Sequence, residues 1–189
     1  MMALYSFALF LHIVGAFGLI ASVTLEAIGL RGLRHATQAA EARTWLGISR
    51  RLVVRLAPAS LGTILVTGLY MTAVAWGAKG WIAVALASLV VLAVVGAIGT
   101  GMRMARLEPA VNQAQGPLSD ELRHRLRDPL LLISLRVRMA IVLGVAFLMT
   151  VKPTFVAAVA VVVLAAALGL LAGQLPPRRT AHELRNQVG

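Results

Sequence analysis

Five long apolar stretches constrain the fold of this chain more than any other feature of its sequence. A helix needs about 20 mostly apolar residues to cross the roughly 30 Å of hydrocarbon in a bilayer, and a helix satisfies its own backbone hydrogen bonds there. The qualifying stretches are residues 4–30, 56–76, 81–102, 130–151 and 154–175. Pro153 stands between the last two, which favours a tight hairpin over one overlong helix. The sequence therefore predicts an all-α, polytopic bundle of five transmembrane helices in a single domain.

The charged residues are few, and their uneven distribution predicts the orientation of the chain. They make up 13% of the sequence, whereas an average soluble domain has about 25%. All 16 arginines lie in or beside the predicted loops 31–55 and 103–129 or in the tail 176–189, and both lysines lie on the opposite side. Because cytoplasmic loops carry the excess of positive charge, we expect the N-terminus outside and the C-terminus in the cytoplasm. The net charge of +11 then indicates contact with anionic lipid head groups rather than with nucleic acid.

Each predicted cytoplasmic loop contains a segment that we expect to form a surface helix. These segments are Thr37–Leu46 and Leu118–Arg127, and Ser119 is a suitable N-cap for the second. At the opposite boundary, amphipathic aromatic rings are expected, since such rings prefer the edge of a bilayer. Tyr5, Trp76 and Trp81 fall there.

A histidine and two methionines in the spans form the most chemically suggestive group of this chain. His12 lies about 12 Å in from the outer end of the first span. Tyr70, Met71 and Met149 are predicted at a similar depth, so the four side chains would line an outer-leaflet pocket. Imidazole nitrogen and thioether sulfur bind Cu(I) or haem iron, so haem b and copper are the cofactors that this group suggests. The alternatives are a structural hydrogen bond of His12 to a neighbouring helix and a proton-relay or substrate contact.

Glu26, near the inner end of the first span, has a more specific structural interpretation. A carboxylate at this depth needs a cation to remain charged, and Arg55, Arg136 and Arg138 are expected at the same level. We therefore predict an ion pair of Glu26 with Arg136 or Arg138 that holds the first span against the fourth. The functional alternative is transport of protons or cations through Glu26.

Small residues recur at helical spacing in two of the spans. Ala165, Gly169 and Gly173 follow one another at four-residue intervals, and Gly96, Gly99 and Gly101 form a comparable surface on the third span. Such spacing permits close helix approach. The contact is either internal or an interface with a second subunit, and the sequence leaves both open.

Short patches of the sequence resemble known membrane proteins. The opening LHIVGAFG, the later RRLVVRLAP, and the pairs Thr67-Gly68 and Gly80-Trp81 resemble a broad set of small bacterial membrane proteins. This set includes the copper-resistance D family and the haem-dependent membrane protoporphyrinogen oxidases. The block DPLLLISLRVRMAIVLGVAFLMTVKP resembles an uncharacterised family of small bacterial five-span proteins. The oxidase resemblance implies that His12 faces a haem, but the third span contains neither the Lys nor the further His of those oxidases, which argues against their activity.

The sequence is compatible with two functions of different classes. The absence of Cys removes disulfides, thiolate catalysis and cysteine-ligated metal sites, and no catalytic dyad is recognisable. We therefore favour a non-catalytic accessory or assembly module in a homo-oligomer or a larger membrane complex, with the lipid bilayer as its surroundings. The alternative is a redox or transport protein that binds haem or copper at His12.

Overall fold

The computed structural model describes residues 2–174, and every regular element in this range is helical. The α-helices are α1 (Met2–His35), α2 (Ala39–Arg51), α3 (Ala57–Met71), α4 (Gly80–Gly96), α5 (Met102–Gln113), α6 (Asp120–Leu126), α7 (Pro129–Val151) and α8 (Phe155–Gln174). Three π-helical segments continue α2, α3 and α4 without a break: Leu52–Leu56, Thr72–Trp76 and Ala97–Gly101. Five helical stretches are long and apolar enough to cross a membrane, which confirms the all-α prediction and the number of candidate spans.

The helices extend well beyond the predicted spans, so most of the two predicted loops is helical. α1 alone has 34 residues and is about 50 Å long, far more than a bilayer core requires. One helical stretch runs from Ala39 to Trp76 and another from Gly80 to Gln113. Pro58 does not end the first of these stretches, because it occupies the first turn of α3, directly after a π-helical segment, where a missing N–H is tolerated.

The two ends of the bundle differ in their charged residues, and we name them accordingly. The lysine end contains Lys79 and Lys152 in the connections that precede α4 and α8. Lys152 ends α7 in the left-handed conformation, with φ of 52°, and α8 begins three residues later. This confirms the predicted hairpin at Pro153. The opposite, arginine end holds the connection between α1 and α2 and the segment that carries α5 and α6.

The two predicted surface helices are present, and their inner faces cover a hydrophobic core at the arginine end. α2 begins at Ala39, two residues later than predicted, and α6 is capped by Ser119, whose hydroxyl accepts a hydrogen bond from the Leu122 amide. Backbone bonds of 2.9 and 3.0 Å join the two loops, from the Ala39 amide to the Gly116 carbonyl and from the Leu118 amide to the Thr37 carbonyl. The fully or almost fully buried side chains of this core include Leu30, Leu33, Ala42, Met104, Val111, Leu126 and Leu131.

The stripe of small residues on α8 packs inside the molecule. A Cβ atom on Gly169 would lie 2.7 Å from the Val137 Cα atom, and one on Gly173 would lie 3.1 Å from the Ile133 Cα atom. Both contacts are with α7, so the close helix approach that the spacing predicts is used within the chain. The predicted tail 176–189, together with Leu175 and Met1, lies outside the described residues; Arg178, Arg179, His182 and Arg185 belong to it.

Candidate functional site

The most deeply buried charged residues of the bundle form one ion pair near the arginine end. Both guanidinium Nη atoms of Arg138 donate to the Glu26 carboxylate, with 2.9 Å between Nη1 and Oε2. The two side chains are only 5% and 1% exposed. A paired geometry with two hydrogen bonds is what a buried carboxylate and guanidinium need to remain charged in a low dielectric. The pair joins α1 to α7. Of the two predicted partners of Glu26, Arg136 and Arg138, the structure has Arg138.

Hydroxyl groups extend this ion pair to a third helix. Arg138 Nη2 also donates to Thr100 Oγ1 at 2.8 Å, and Ser134 Oγ donates to the Val95 carbonyl at 3.1 Å. Thr100 belongs to the π-helical segment Ala97–Gly101. A Cβ atom on Gly99 would clash with Ser134 Oγ, so the small residue of the predicted third-span surface makes room for this network.

The other two arginines considered for Glu26 are placed differently. Arg136 donates to the Ala172 carbonyl of α8, two positions away from Arg138 on α7. Arg55 is exposed, in the π-helical segment Leu52–Leu56. Since residues two apart on a helix point about 200° apart, Arg136 and Arg138 face different neighbours.

A cavity of about 370 Å³ lies near the lysine end, and we name it the lysine-end cavity. His12, Met71 and Met149 line it together with apolar side chains of α1, α3 and α4, so the structure brings three of the four predicted pocket residues to one cavity. A smaller adjoining cavity of about 70 Å³ is also lined by His12 and Met149. Both volumes are enclosed mainly by hydrocarbon side chains.

Tyr70 does not line the lysine-end cavity, and Tyr5 does. Along α3, Met71 follows Thr67 by four residues and shares its face, whereas Tyr70 follows by three and is rotated about 60° to the other side. Thr67 and Met71 are buried, while Tyr70 is partly exposed. The fourth member of the predicted pocket is therefore corrected from Tyr70 to Tyr5.

The hydrogen bonds of Thr67 indicate which tautomer a neutral His12 ring adopts. The Thr67 hydroxyl donates its only proton to the Thr63 carbonyl at 2.6 Å, so it can only accept from His12 Nδ1, which lies 3.0 Å away. In a neutral imidazole this places the proton on Nδ1 and leaves the lone pair of Nε2 for a ligand. The interhelical bond from α1 to α3 is the structural role predicted for His12, and the same bond fixes the orientation of the ring.

Aromatic rings and one lysine contact one another in the lining of the lysine-end cavity. The Trp76 indole donates to the Tyr5 hydroxyl at 3.2 Å and meets Trp81 edge to face, with 5.9 Å between ring centroids. The Lys152 ammonium lies 4.1 Å from the centroid of the Trp76 ring, within the range of a cation–π contact. Trp76 ends the π-helical segment Thr72–Trp76, and π-helical turns are frequent at functional sites.

The donor atoms in the lysine-end cavity fit a soft metal better than a hard one. An imidazole nitrogen and two thioethers are suitable for Cu(I) or as axial ligands of haem iron, while the lining of the cavity contains no carboxylate. Among residues 2–174, no group of three or more His, Cys, Asp or Glu side chains could hold a metal ion. His12, Met71 and Met149 are thus the residues that would hold such a group.

Sequence reasoning missed a second, larger cavity of about 690 Å³, which we name the arginine-end cavity. It lies between α3 and α4, with Arg138 at its inner wall and Arg50 at its outer rim. Arg50 forms an ion pair with Glu108 of α5 at 2.5 Å. Small side chains on α4 and its continuation leave this space open. The alanines and glycines in that part of the sequence were the signal that could have predicted it.

No protein-family model, curated protein or solved structure matches this chain.

Proposed function

We propose that this chain is a five-span protein of a bacterial inner membrane that acts as a non-catalytic accessory or assembly module of a larger membrane complex. One observation carries the proposal: buried polar side chains towards both ends of the bundle bond to one another across helices. Glu26 and Arg138 join α1 to α7, Thr100 adds α4, and His12 with Thr67 joins α1 to α3. Groups used in this way stabilise helix packing.

The surface of α8 supports a role in which the bundle meets other hydrocarbon. Its inner face packs on α7 through glycines, whereas Val156, Leu164 and Leu168 are each more than 60% exposed. These side chains can contact lipid or a helix of another membrane protein, and neither contact requires a catalytic group.

Purification of the full chain from its native membrane in a mild detergent tests the accessory role. We expect a second membrane protein in constant stoichiometry, and its loss when Leu164→Asn and Leu168→Asn are introduced on the exposed face of α8. Val142→Ala in the interior is a control that weakens packing without altering that face. Recovery of a monodisperse chain free of protein partners would contradict the proposal.

The orientation belongs to the same proposal, and the charge distribution supports it. Fusion of alkaline phosphatase or green fluorescent protein after Gly189 is the direct test. We expect fluorescence and no phosphatase activity, since the arginine-rich side should face the cytoplasm. Phosphatase activity in the fusion would contradict this orientation.

A second candidate function is binding of copper or haem at His12. The specific support is the Nδ1-protonated His12, held by Thr67, in a cavity that it shares with Met71 and Met149. An optical spectrum and a metal analysis of the purified protein separate the two candidates. A Soret band or stoichiometric copper that is lost in His12→Ala would replace the first candidate with the second, whereas a colourless, metal-free protein would exclude the second.

A further inference from the structure

The arginine-end cavity is apolar along most of its length and cationic at one end. Leu19, Leu61 and Leu92 surround its deep part, and Arg50 stands at the rim. On the α4 side the lining runs from Leu92 to Ala105, which is about 20 Å of helix. An elongated ligand with an apolar chain and one polar end matches this distribution.

Small residues on one wall keep the cavity open towards the outside of the bundle. The wall formed by α4 and its π-helical continuation carries Ala93, Gly96, Ala97 and Gly101, with Ala105 one turn further. Ala93 and Ala97 are exposed as well as lining, so the opening faces the direction from which a membrane lipid would enter. Val54, on the opposite wall, is also exposed.

The rim of the cavity has an excess of positive charge. Arg51, Arg55 and Arg106 are exposed, adjoin lining residues along the chain, and form no ion pair with any residue between positions 2 and 174. The carboxylate at this rim, Glu108, is engaged by Arg50. Because only Arg50 of these four arginines has a carboxylate partner, this region would attract an anionic head group.

The charged residue deeper in the lining is already paired within the protein. Arg138 is 4% exposed, and its Nη atoms donate to Glu26 and Thr100. Its Nε atom is fully buried, so a ligand in the cavity does not reach it. The deeper part of the cavity therefore suits hydrocarbon.

We propose that the arginine-end cavity binds an anionic glycerophospholipid, such as phosphatidylglycerol, between α3 and α4. Its phosphate lies at the rim, among Arg50 and the exposed arginines beside the lining residues, and an acyl chain occupies the apolar part. A phospholipid has an anionic head group and apolar chains in this order along its length. The proposal is independent of the accessory role, and a chain without protein partners can still bind the lipid.

Native mass spectrometry of the full-length protein in detergent tests the proposal with defined lipids. We expect phosphatidylglycerol to bind one copy per chain and about tenfold more tightly than phosphatidylcholine of the same acyl composition. Inorganic phosphate and oleate at equal concentrations should not displace it, since phosphate lacks the acyl chain and oleate lacks the phosphate. Equal affinity for the two phospholipids, or displacement by phosphate or oleate, would overturn the proposal.

Variants that fill the arginine-end cavity test whether the lipid binds there. Ala97→Leu places a bulky side chain at the opening and should weaken phosphatidylglycerol binding on the order of tenfold. Ala87→Leu is the matched control, because Ala87 is exposed on α4 but does not line the cavity. Ala93→Leu is a second filling variant if Ala97→Leu does not fold. Unchanged binding in a folded filling variant, or an equal loss in Ala87→Leu, would contradict this assignment.

Discussion

The two ends of the bundle are held together in different ways. At the arginine end, helices far apart in sequence are joined by a buried ion pair, by hydroxyl groups and by a core of leucines from the predicted loops. At the lysine end, the bond between His12 and Thr67 and the contacts of Trp76 surround a cavity. The arginine end therefore carries most of the specific stabilisation, and the lysine end has room for a ligand.

This difference follows from how membrane helices associate. Apolar side chains do not distinguish a neighbouring helix from lipid, so close packing of small residues and interhelical hydrogen bonds decide which helices stay together. The arginine end also has a core outside the predicted spans, where burial of leucine removes apolar surface from water. Substitutions should accordingly cost more there than at the lysine end.

The largest loss is expected for Glu26→Gln. Removal of the carboxylate leaves the buried Arg138 guanidinium without its counter-charge, which costs about 3–5 kcal/mol. Thermal unfolding in detergent measures the effect. Glu121→Gln is the control, because Glu121 and Arg125 form an exposed ion pair. The loss of this pair should cost roughly a few tenths of a kcal/mol. Equal stability of the two variants would show that the buried pair contributes no more than an exposed one.

A smaller loss is expected for Gly169→Ala on α8. The added Cβ atom would lie 2.7 Å from the Val137 Cα atom and 2.9 Å from the Arg136 carbonyl oxygen, and backbone atoms cannot rotate away. Overpacking of this kind costs about 1–3 kcal/mol. Gly62→Ala is the matched control: nothing lies within 4 Å of its Cβ position, so alanine should raise stability by up to about 1 kcal/mol. Detergent melting curves of both variants should move in opposite directions.

At the lysine end, Thr67→Val should cost about 1 kcal/mol, the usual net value of one hydrogen bond. The variant keeps the shape of the side chain and removes the acceptor of His12 Nδ1. Thr63→Val is the control, since the Thr63 hydroxyl bonds only within its own helix, to the Ala59 carbonyl. A loss as large as that of Glu26→Gln would show that the lysine end is not the weaker half.

The smallest effect is expected at the N-cap of α6. Ser119→Ala removes the acceptor of the Leu122 amide and should lower stability by about 0.5 kcal/mol, the lower range for such caps, because α6 has only seven residues. Ser119→Asp retains an acceptor and should restore the wild-type melting temperature. If both variants melt alike, the cap does not contribute to the arginine-end core.

The sequence predicts the features that depend on helix period and depth. The depths of His12, Glu26 and Arg138, the hairpin at Pro153 and the Ser119 cap all follow from 3.6 residues per turn and from local chemistry. On α1, Gly15, Ser22 and Glu26 share a buried face.

Other features depend on contacts that a single helix does not encode. The three π-helical segments have unrelated sequences, LVVRL, TAVAW and AIGTG, so no shared pattern announces them. The apolar residues of each predicted loop are widely spaced in the sequence, so neither loop alone indicates the core that the two loops form together. The incorrect placement of Tyr70 in the pocket, where the structure has Tyr5, was avoidable. The sequence alone gives the 60° rotation between Thr67 and Tyr70 on a helix.

A double-mutant cycle of Glu26→Gln and Arg138→Gln is the most direct test of the central claim that this pair fastens the bundle. Unfolding free energies of the wild type, both single variants and the double variant would be measured under one detergent condition. We predict that the double variant recovers about 2–3 kcal/mol relative to the sum of the single losses, since it leaves no uncompensated buried charge. Losses that add to within about 0.5 kcal/mol would contradict the claim.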